Sequence, residues 1–142
     1  MLINNSLVSI INSLIAPLGR IFISLIFLMS GINKIDNYSN TSGWMESMGV
    51  SSSLLPIVII LEILGALAII IGWKAKIAAL LLAGFCLISA LIFHSDFSNQ
   101  MVIIAFMKNV AIAGGFLFLF VHGPGNFSLD NRNKVNQKED LN

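Results

Sequence analysis

The sequence predicts an all-α fold, a bundle of four transmembrane helices. Of the 142 residues, 56% are hydrophobic and only 11% are charged, against about 25% in soluble domains. The mean hydropathy of +0.88 agrees with this composition. The apolar residues fall into four runs, each long enough to cross a bilayer. A soluble fold is excluded because too little polar sequence is left to cover these runs.

The four runs place the spanning helices at about residues 14–32, 54–71, 75–93 and 101–121. Local signals mark their ends. Proline is tolerated in a first helical turn, and hydroxyls ahead of a helix cap its unbonded N–H groups. Glycine ends helices because it adopts left-handed backbone conformations. The signals are Pro17, Ser51–Ser53 with Pro56, Gly72, and the Gly123-Pro124-Gly125 segment.

The residues ahead of the first span have a pattern of their own. Apolar side chains at Ile3, Leu7, Ile10 and Leu14 follow helical spacing, with Asn and Ser largely elsewhere. The pattern fits either a short N-terminal interfacial helix on the membrane surface or one or two extra turns on the first span. A signal peptide is not expected, because residues 1–13 contain no Lys or Arg.

Basic residues outside the spans are distributed unevenly between the two sides of the predicted bundle. One side has Lys34 alone, and the other has five, namely Lys74, Lys76, Arg132, Lys134 and Lys138. Because cytoplasmic segments are enriched in Lys and Arg, both termini are expected in the cytoplasm. Residues 1–130 are expected to form one transmembrane domain, and the polar residues 131–142 a disordered cytoplasmic tail.

The composition also excludes several classes of function. A net charge of +1 without a basic stripe offers no surface for nucleic acid. The single cysteine, Cys86, excludes dithiol exchange within this chain. The sequence contains no Ser-His-Asp set, phosphate loop, nucleotide fingerprint or cluster at metal-ligand spacing. No catalytic residue, metal site or cofactor is therefore assigned from these residues alone.

Three ionisable residues, Arg20, Glu62 and Lys108, lie within the predicted spans. A charge at the bilayer centre costs about 2.5–3.5 kcal/mol, so such residues are expected to find partners. At about 1.5 Å of rise per residue, Glu62 and Lys108 lie at similar depths, and an ion pair between them is expected. Arg20 enters from the other end and either reaches toward Glu62 or extends to the headgroups.

These charges have two interpretations. In the first, a buried ion pair and a snorkelling arginine fix the register of the helices. In the second, two cations and one carboxylate leave excess positive charge that receives a ligand, an ion or a proton. Asn109 completes the predicted intramembrane polar cluster, since it can bond across helices. Lys34 and His94, near the outer ends of spans, are candidate entry points for a proton or a ligand.

Short patterns occur in a specific order between Arg20 and Asp130. Arg20 is followed by FLMSGINK, and the second span reads LEILGALAIIIGW around Glu62. The fourth span has Lys108 with Asn109, then GG, GPG and SLD. Together these resemble the DoxX family of small bacterial four-helix membrane proteins. One departure is a lysine two positions after the glycine of IIIGW, where the family often has arginine.

The resemblance implies a four-helix bundle in the bacterial inner membrane, in contact with lipid and with protein partners or further copies of itself. It assigns no activity. The chain is expected to act as an accessory or scaffolding subunit of a membrane complex. The alternatives are a membrane subunit of a quinone-linked oxidoreductase, with quinone bound near Arg20, Glu62 and Lys108, and a small transporter. A cavity lined by Glu62 and Lys108 favours the oxidoreductase, and a cavity-free bundle favours the accessory role.

Overall fold

In the computed structural model, residues 5–139 fold into six α-helices. These are α1 (Asn5–Asp36), α2 (Tyr38–Ser47), α3 (Leu55–Ile71), α4 (Ala75–Phe93), α5 (Gln100–His122) and α6 (Leu129–Glu139), with a 3-10 turn at Ser52–Leu54 ahead of α3. The structure describes the backbone of residues 5–139 and the side chains of residues 8, 10, 11 and 13–134. No β-strand occurs in this part of the chain. The predicted all-α class is confirmed.

Four helices in the described residues are long and apolar enough to cross a membrane, as predicted. They extend over Ser13–Asp36, Ser52–Ile71, Ala75–Phe93 and Gln100–His122. The predicted helix-end signals are found at both ends of α3, where Pro56 lies in the first turn and Gly72 ends the helix with a φ of 71°. The length of an apolar run therefore located each span to within a few residues.

The N-terminal residues extend the first span and do not form a separate interfacial helix. α1 is unbroken from Asn5 to Asp36, with Pro17 inside it. This corrects the first of the two predicted options; residues 1–4 lie outside the described residues. Pro17 cannot donate to the carbonyl of Ser13, but loss of a single hydrogen bond does not end a transmembrane helix that is supported by its neighbours.

The spanning helices pack as two close pairs, α1 with α3 and α4 with α5, and contacts between α3 and α4 join the pairs. Small residues line these contacts. Ala66 and Ala79 are fully buried, and a Cβ added to Gly65 would lie 3.2 Å from Leu82 of α4. Small side chains let helix backbones approach closely, which supplies the van der Waals contact that holds helices together in lipid.

The two ends of the bundle carry different segments. The end called here the terminal end holds the turn at residues 72–74 and residues 123–139. The loop end holds residues 37–54 and 94–99, including α2. Met45 of α2 packs on α3 in a small apolar cluster with Leu55 and Ile59. The sequence did not predict α2, because Tyr38–Ser47 shows no helical spacing of apolar residues.

Most of the predicted disordered tail is helical. α6 covers Leu129–Glu139, and residues 140–142 lie outside the described residues. The carboxylate of Asp130 accepts the backbone N–H groups of Lys74 at 2.7 Å and Ala75 at 2.9 Å. These bonds hold the first turn of α6 against the start of α4. The polar composition favoured disorder, but it carried no information on bonds to a distant turn.

Candidate functional site

A cavity of about 330 Å³ lies between the helices at the loop end. α1, α3, α4 and α5 contribute to its lining, and α2 adds Trp44 and Met45. The lining combines aromatic rings with charged and amide side chains. Sites for small molecules commonly have volumes of about 300–1,000 Å³ and this mixture of apolar walls with a few polar groups.

Glu62 is the buried carboxylate of the cavity, and it is 2% exposed at the middle of α3. Lys34, in the last turn of α1, donates to its two oxygens at 2.9 and 3.0 Å. Ser30 donates to Oε1 at 3.2 Å and accepts from Lys34 at 2.6 Å. The spacing of four residues places Ser30 and Lys34 on one face of α1. The carboxylate is therefore held by a cation and a hydroxyl from a single neighbouring helix.

The predicted ion pair between Glu62 and Lys108 is wrong. In the described part of the chain, the ion pair of Glu62 is made with Lys34. The depth estimate compared positions along the helix axes and carried no information on which helices are neighbours. α3 packs against α1 and α4, whereas the main contact of α5 is with α4. A lysine on α1 therefore reaches Glu62.

Lys108 and Asn109 on α5 nevertheless line the same cavity as Glu62. Lys108 is exposed, and among the described residues it makes no ion pair. The side-chain amide of Asn109 donates to the carbonyl of Ala105 at 3.1 Å. Because Glu62 is paired with Lys34, the ammonium of Lys108 leaves the cavity with excess positive charge. The predicted excess counted Arg20, which does not line this cavity; here the two cations beside Glu62 are Lys34 and Lys108.

Aromatic rings supply the apolar part of the lining. Trp44 of α2 stacks on Phe93, the last residue of α4, with ring centroids 4.5 Å apart and planes at 25°. Phe27 and Phe85 also line the cavity. Sequence reasoning missed Trp44 because it missed α2; the available signal was a tryptophan next to a span, where aromatic residues mark the membrane interface. These rings offer flat apolar faces on which another ring can stack.

The two predicted entry residues, Lys34 and His94, both line the cavity. His94 lies at the C-terminal end of α4 and is half-buried. The neighbouring Asp96 accepts hydrogen bonds from the hydroxyl and the backbone N–H of Ser98, at 2.6 and 3.1 Å. These bonds lower the pKa of Asp96 below its usual range, and the bond from the hydroxyl has the larger effect. Asp96 is thus engaged in its own loop, and His94 is the side chain of that segment that lines the cavity.

Arg20 belongs to the terminal end and not to the cavity. It is 4% exposed, and its guanidinium donates to the carbonyl of Ile69 at 3.4 Å and to the carbonyl of Phe127. The carbonyls of a last helical turn lack partners within the helix, and a guanidinium satisfies such groups. The predicted approach to Glu62 is wrong: the guanidinium extends in the other predicted direction, toward the terminal end, where it binds backbone carbonyls. The set of Arg20, Glu62, Lys108 and Asn109 is divided between the two ends of the bundle.

The chemistry available at the loop-end cavity is hydrogen bonding and charge. Among the described residues, no group of three or more His, Cys, Asp and Glu side chains could hold a metal ion. The cavity presents donors from lysine and amide groups beside aromatic faces. This arrangement suits a ring that carries hydrogen-bond acceptors or a negative charge.

Comparisons with known proteins add the family context. The family model described as DoxX matches residues 15–95. The chain is 45% identical over 112 residues to inner membrane protein YqjF of Escherichia coli strain K12, a match covering 79% of this chain and 86% of that protein. It is 35% identical over 122 residues to inner membrane protein YphA of the same organism, covering 81% and 87%. No solved structure matches.

Proposed function

This chain belongs to the DoxX family of inner membrane proteins, and on that premise we propose that it is an accessory subunit of a membrane complex that holds a quinone-type molecule. A quinone-type molecule is a lipid-soluble ring with hydrogen-bond-accepting carbonyl oxygens. The observation that carries the proposal is the loop-end cavity, lined by both Glu62 and Lys108. Such a cavity favours ligand binding over a role in packing alone.

The size and the walls of the cavity support a ring-shaped headgroup. Its volume of about 330 Å³ is at the lower end for small-molecule sites, so it suits a headgroup whose apolar tail stays in the lipid. Trp44 and Phe93 are already stacked, and a planar ligand can add to such a stack. Aliphatic side chains, among them those of Ile26 and Ile112, also line the cavity.

The polar groups support an acceptor on the ligand. Glu62 is engaged with Lys34 and Ser30, so its charge is already balanced. Lys108 is the cation that remains to donate to a carbonyl oxygen of the ligand, with Asn109 beside it on α5. A hydrogen bond from a charged donor contributes about 1.5–3 kcal/mol, more than one between neutral groups. In this proposal Lys108 positions the ring and Glu62 fixes the shape of the cavity.

In this proposal, this chain provides the binding site and a partner subunit supplies the electrons. Reduction of a quinone requires two electrons and two protons. The segments between the spans are short turns and one helix of ten residues, which leave little of the chain outside the spans to host electron transfer. The electrons are therefore assigned to a partner subunit. The ammonium of Lys108 would be the proton donor at the ring, with His94 lining the same cavity at the loop end. The accessory role and the quinone-type ligand are thus parts of one proposal.

The two tryptophans lie at opposite ends and allow a direct binding test. In the full-length Trp73→Phe variant in detergent, Trp44 is the only fluorophore of its kind, and it lines the cavity. Titration with a short-chain ubiquinone should quench it with saturation. We expect Lys108→Gln in this background to raise the dissociation constant about tenfold, because one charge-assisted hydrogen bond is lost.

Matched controls separate binding from unspecific quenching. Lys134→Gln removes the same charge at the terminal end and should leave the dissociation constant unchanged. The Trp44→Phe variant reports through Trp73, at the other end of the bundle, and should show only unsaturated collisional quenching. Equal quenching of both tryptophans, or equal effects of Lys108→Gln and Lys134→Gln, would contradict the proposal.

A further inference from the structure

A second pocket, of about 270 Å³, lies at the terminal end of the bundle. The α3–α4 turn, the segment after α5 and the first turns of α6 form it. Three lysines line it, Lys74, Lys76 and Lys134, together with the apolar side chains of Ile77 and Pro124. It is separated from the loop-end cavity by the length of the spanning helices, so inferences about one do not depend on the other.

The backbone around the lysines is held in place by specific bonds. Lys74 has a φ of 46°, a left-handed conformation that is unusual for a residue with a side chain. It is kept there because the carboxylate of Asp130 accepts the N–H groups of Lys74 and Ala75, and the N–H of Asp130 donates to Gly72 at 2.9 Å. The ammonium of Lys76 donates to the carbonyl of Val121 at 3.0 Å. The pocket is thus built from three segments that are bonded to one another.

The charges of this pocket are not balanced by the residues that line it. Its one carboxylate, Asp130, already accepts two backbone N–H groups at the start of α4. Three ammonium groups against one carboxylate leave excess positive charge, and each ammonium has three donors. Asn133 adds an amide to the same lining. This combination favours an anion with several oxygen acceptors.

The pocket lies where the headgroups of a bilayer would be. The adjoining spans end at Ile71 and His122 and begin at Ala75, directly beside it. Trp73, 49% exposed, is next to Lys74, whose ammonium is 5.4 Å from the centre of the indole ring. Tryptophan is enriched at this level of the membrane, and lysines at this level attract anionic lipids.

We propose that the terminal-end pocket binds the phosphate group of an anionic phospholipid. The phosphate oxygens accept from Lys74, Lys76 and Lys134, and the glycerol and upper acyl chains lie along the exposed side chain of Ile77. A zwitterionic lipid has the same phosphate, but its ammonium group is repelled by the three lysines. The bound lipid joins the α3–α4 turn to α6, and it therefore stabilises the terminal end in an anionic membrane.

The fluorescence of Trp73 tests this assignment in the full-length Trp44→Phe variant. The protein is placed in phosphatidylcholine bilayers that contain an equal fraction of brominated phosphatidylglycerol or of brominated phosphatidylcholine. We expect phosphatidylglycerol to quench Trp73 with about a fivefold or greater relative binding constant. The double variant Lys74→Gln with Lys134→Gln should lower that preference toward one. The two lipids are compared on the same Trp44→Phe protein, whose pocket is unaltered, so this comparison does not depend on whether the lysine variants fold.

Arg132→Gln is the matched control, because Arg132 lies on α6 two residues before Lys134 and does not line this pocket. It should keep the preference for phosphatidylglycerol. Equal quenching by the two brominated lipids would overturn the proposal. So would a loss of preference in Arg132→Gln as large as in the double variant, since that indicates only a diffuse basic surface. Removal of the preference by inorganic phosphate would show that the pocket takes a soluble anion and would overturn the lipid assignment.

Discussion

At the scale of the residue, the two lysines of the loop-end cavity have different surroundings. Lys34 is part of a closed set with Ser30 and Glu62, in which the carboxylate is almost fully buried. Lys108 faces the same cavity without an ion pair among the described residues. Removing one partner of a buried pair leaves an uncompensated charge, whereas removing an exposed ammonium does not. In the proposed function, Lys34 therefore stabilises the bundle and Lys108 contacts the ligand.

This difference predicts that the same substitution at the two positions changes the free energy of unfolding by different amounts. Lys34→Met should lower the free energy of unfolding by about 3 kcal/mol, the lower end of the range for a broken buried pair, because the Lys34 side chain is 20% exposed. Lys108→Met should change it by no more than about 0.5 kcal/mol. Reversible unfolding in mixed micelles measures both. Equal losses in the two variants would mean that Lys108 also compensates Glu62.

At the scale of the element, the α3–α4 turn connects three parts of the chain. Gly72 ends α3 in a left-handed conformation, and the guanidinium of Arg20 lies against it. Asp130 then accepts the free N–H groups at the start of α4, the role that a capping side chain usually has within its own helix. Arg20 and Asp130 thus hold α1 and α6 to the same turn, which explains why an arginine can be buried at this end.

Two glycine substitutions test the turn. Gly72→Ala should lower the free energy of unfolding by about 2 kcal/mol or more. An alanine there would have to keep a positive φ, and its Cβ would clash with Arg20 and Ser128. Gly84→Ala, in the middle of α4, should stabilise the protein by about 0.5–1 kcal/mol, because the new Cβ meets nothing within 4 Å beyond its chain neighbours and the local helix backbone. Thermal unfolding in detergent compares them. A neutral Gly72→Ala would show that the turn relaxes without cost.

At the scale of the whole molecule, four spans return the chain to the end from which it started. The described residues place residues 5 and 139 at the terminal end, together with Lys74, Lys76 and Lys134. The excess of basic residues at this end predicts that it faces the cytoplasm. The loop-end cavity would then lie toward the periplasmic side of the inner membrane.

Single introduced cysteines test this orientation. Cys86 is fully buried and should not react with a membrane-impermeant maleimide. Ser95→Cys, exposed at the loop end, should be labelled in intact spheroplasts, and Asn126→Cys, exposed at the terminal end, only after permeabilisation. The reverse pattern would place the termini in the periplasm. The unsubstituted chain is the control for labelling of Cys86.

Much of the architecture could be predicted because bilayer thickness imposes a length on every apolar run. The four spans and the end of α3 at Gly72 followed from that constraint. α2 and α6 could not be predicted, since both have little apolar periodicity and depend on contacts made elsewhere, α2 through Met45 and α6 through Asp130. The candidate site was found in part: Glu62, Lys108, Asn109, Lys34 and His94 share one cavity, while Trp44 was missed.

By itself, the sequence determined that this chain has four runs able to span a membrane and that a charge buried within them is costly without a partner. Both conclusions depend on position along the chain, because hydrophobic length and depth are measured along a helix axis. Only the tertiary structure decided which partners are used, since this depends on which helix faces lie together. That is why Lys34 and not Lys108 pairs with Glu62, why Arg20 binds carbonyls at the opposite end, and why a cavity remains beside Lys108.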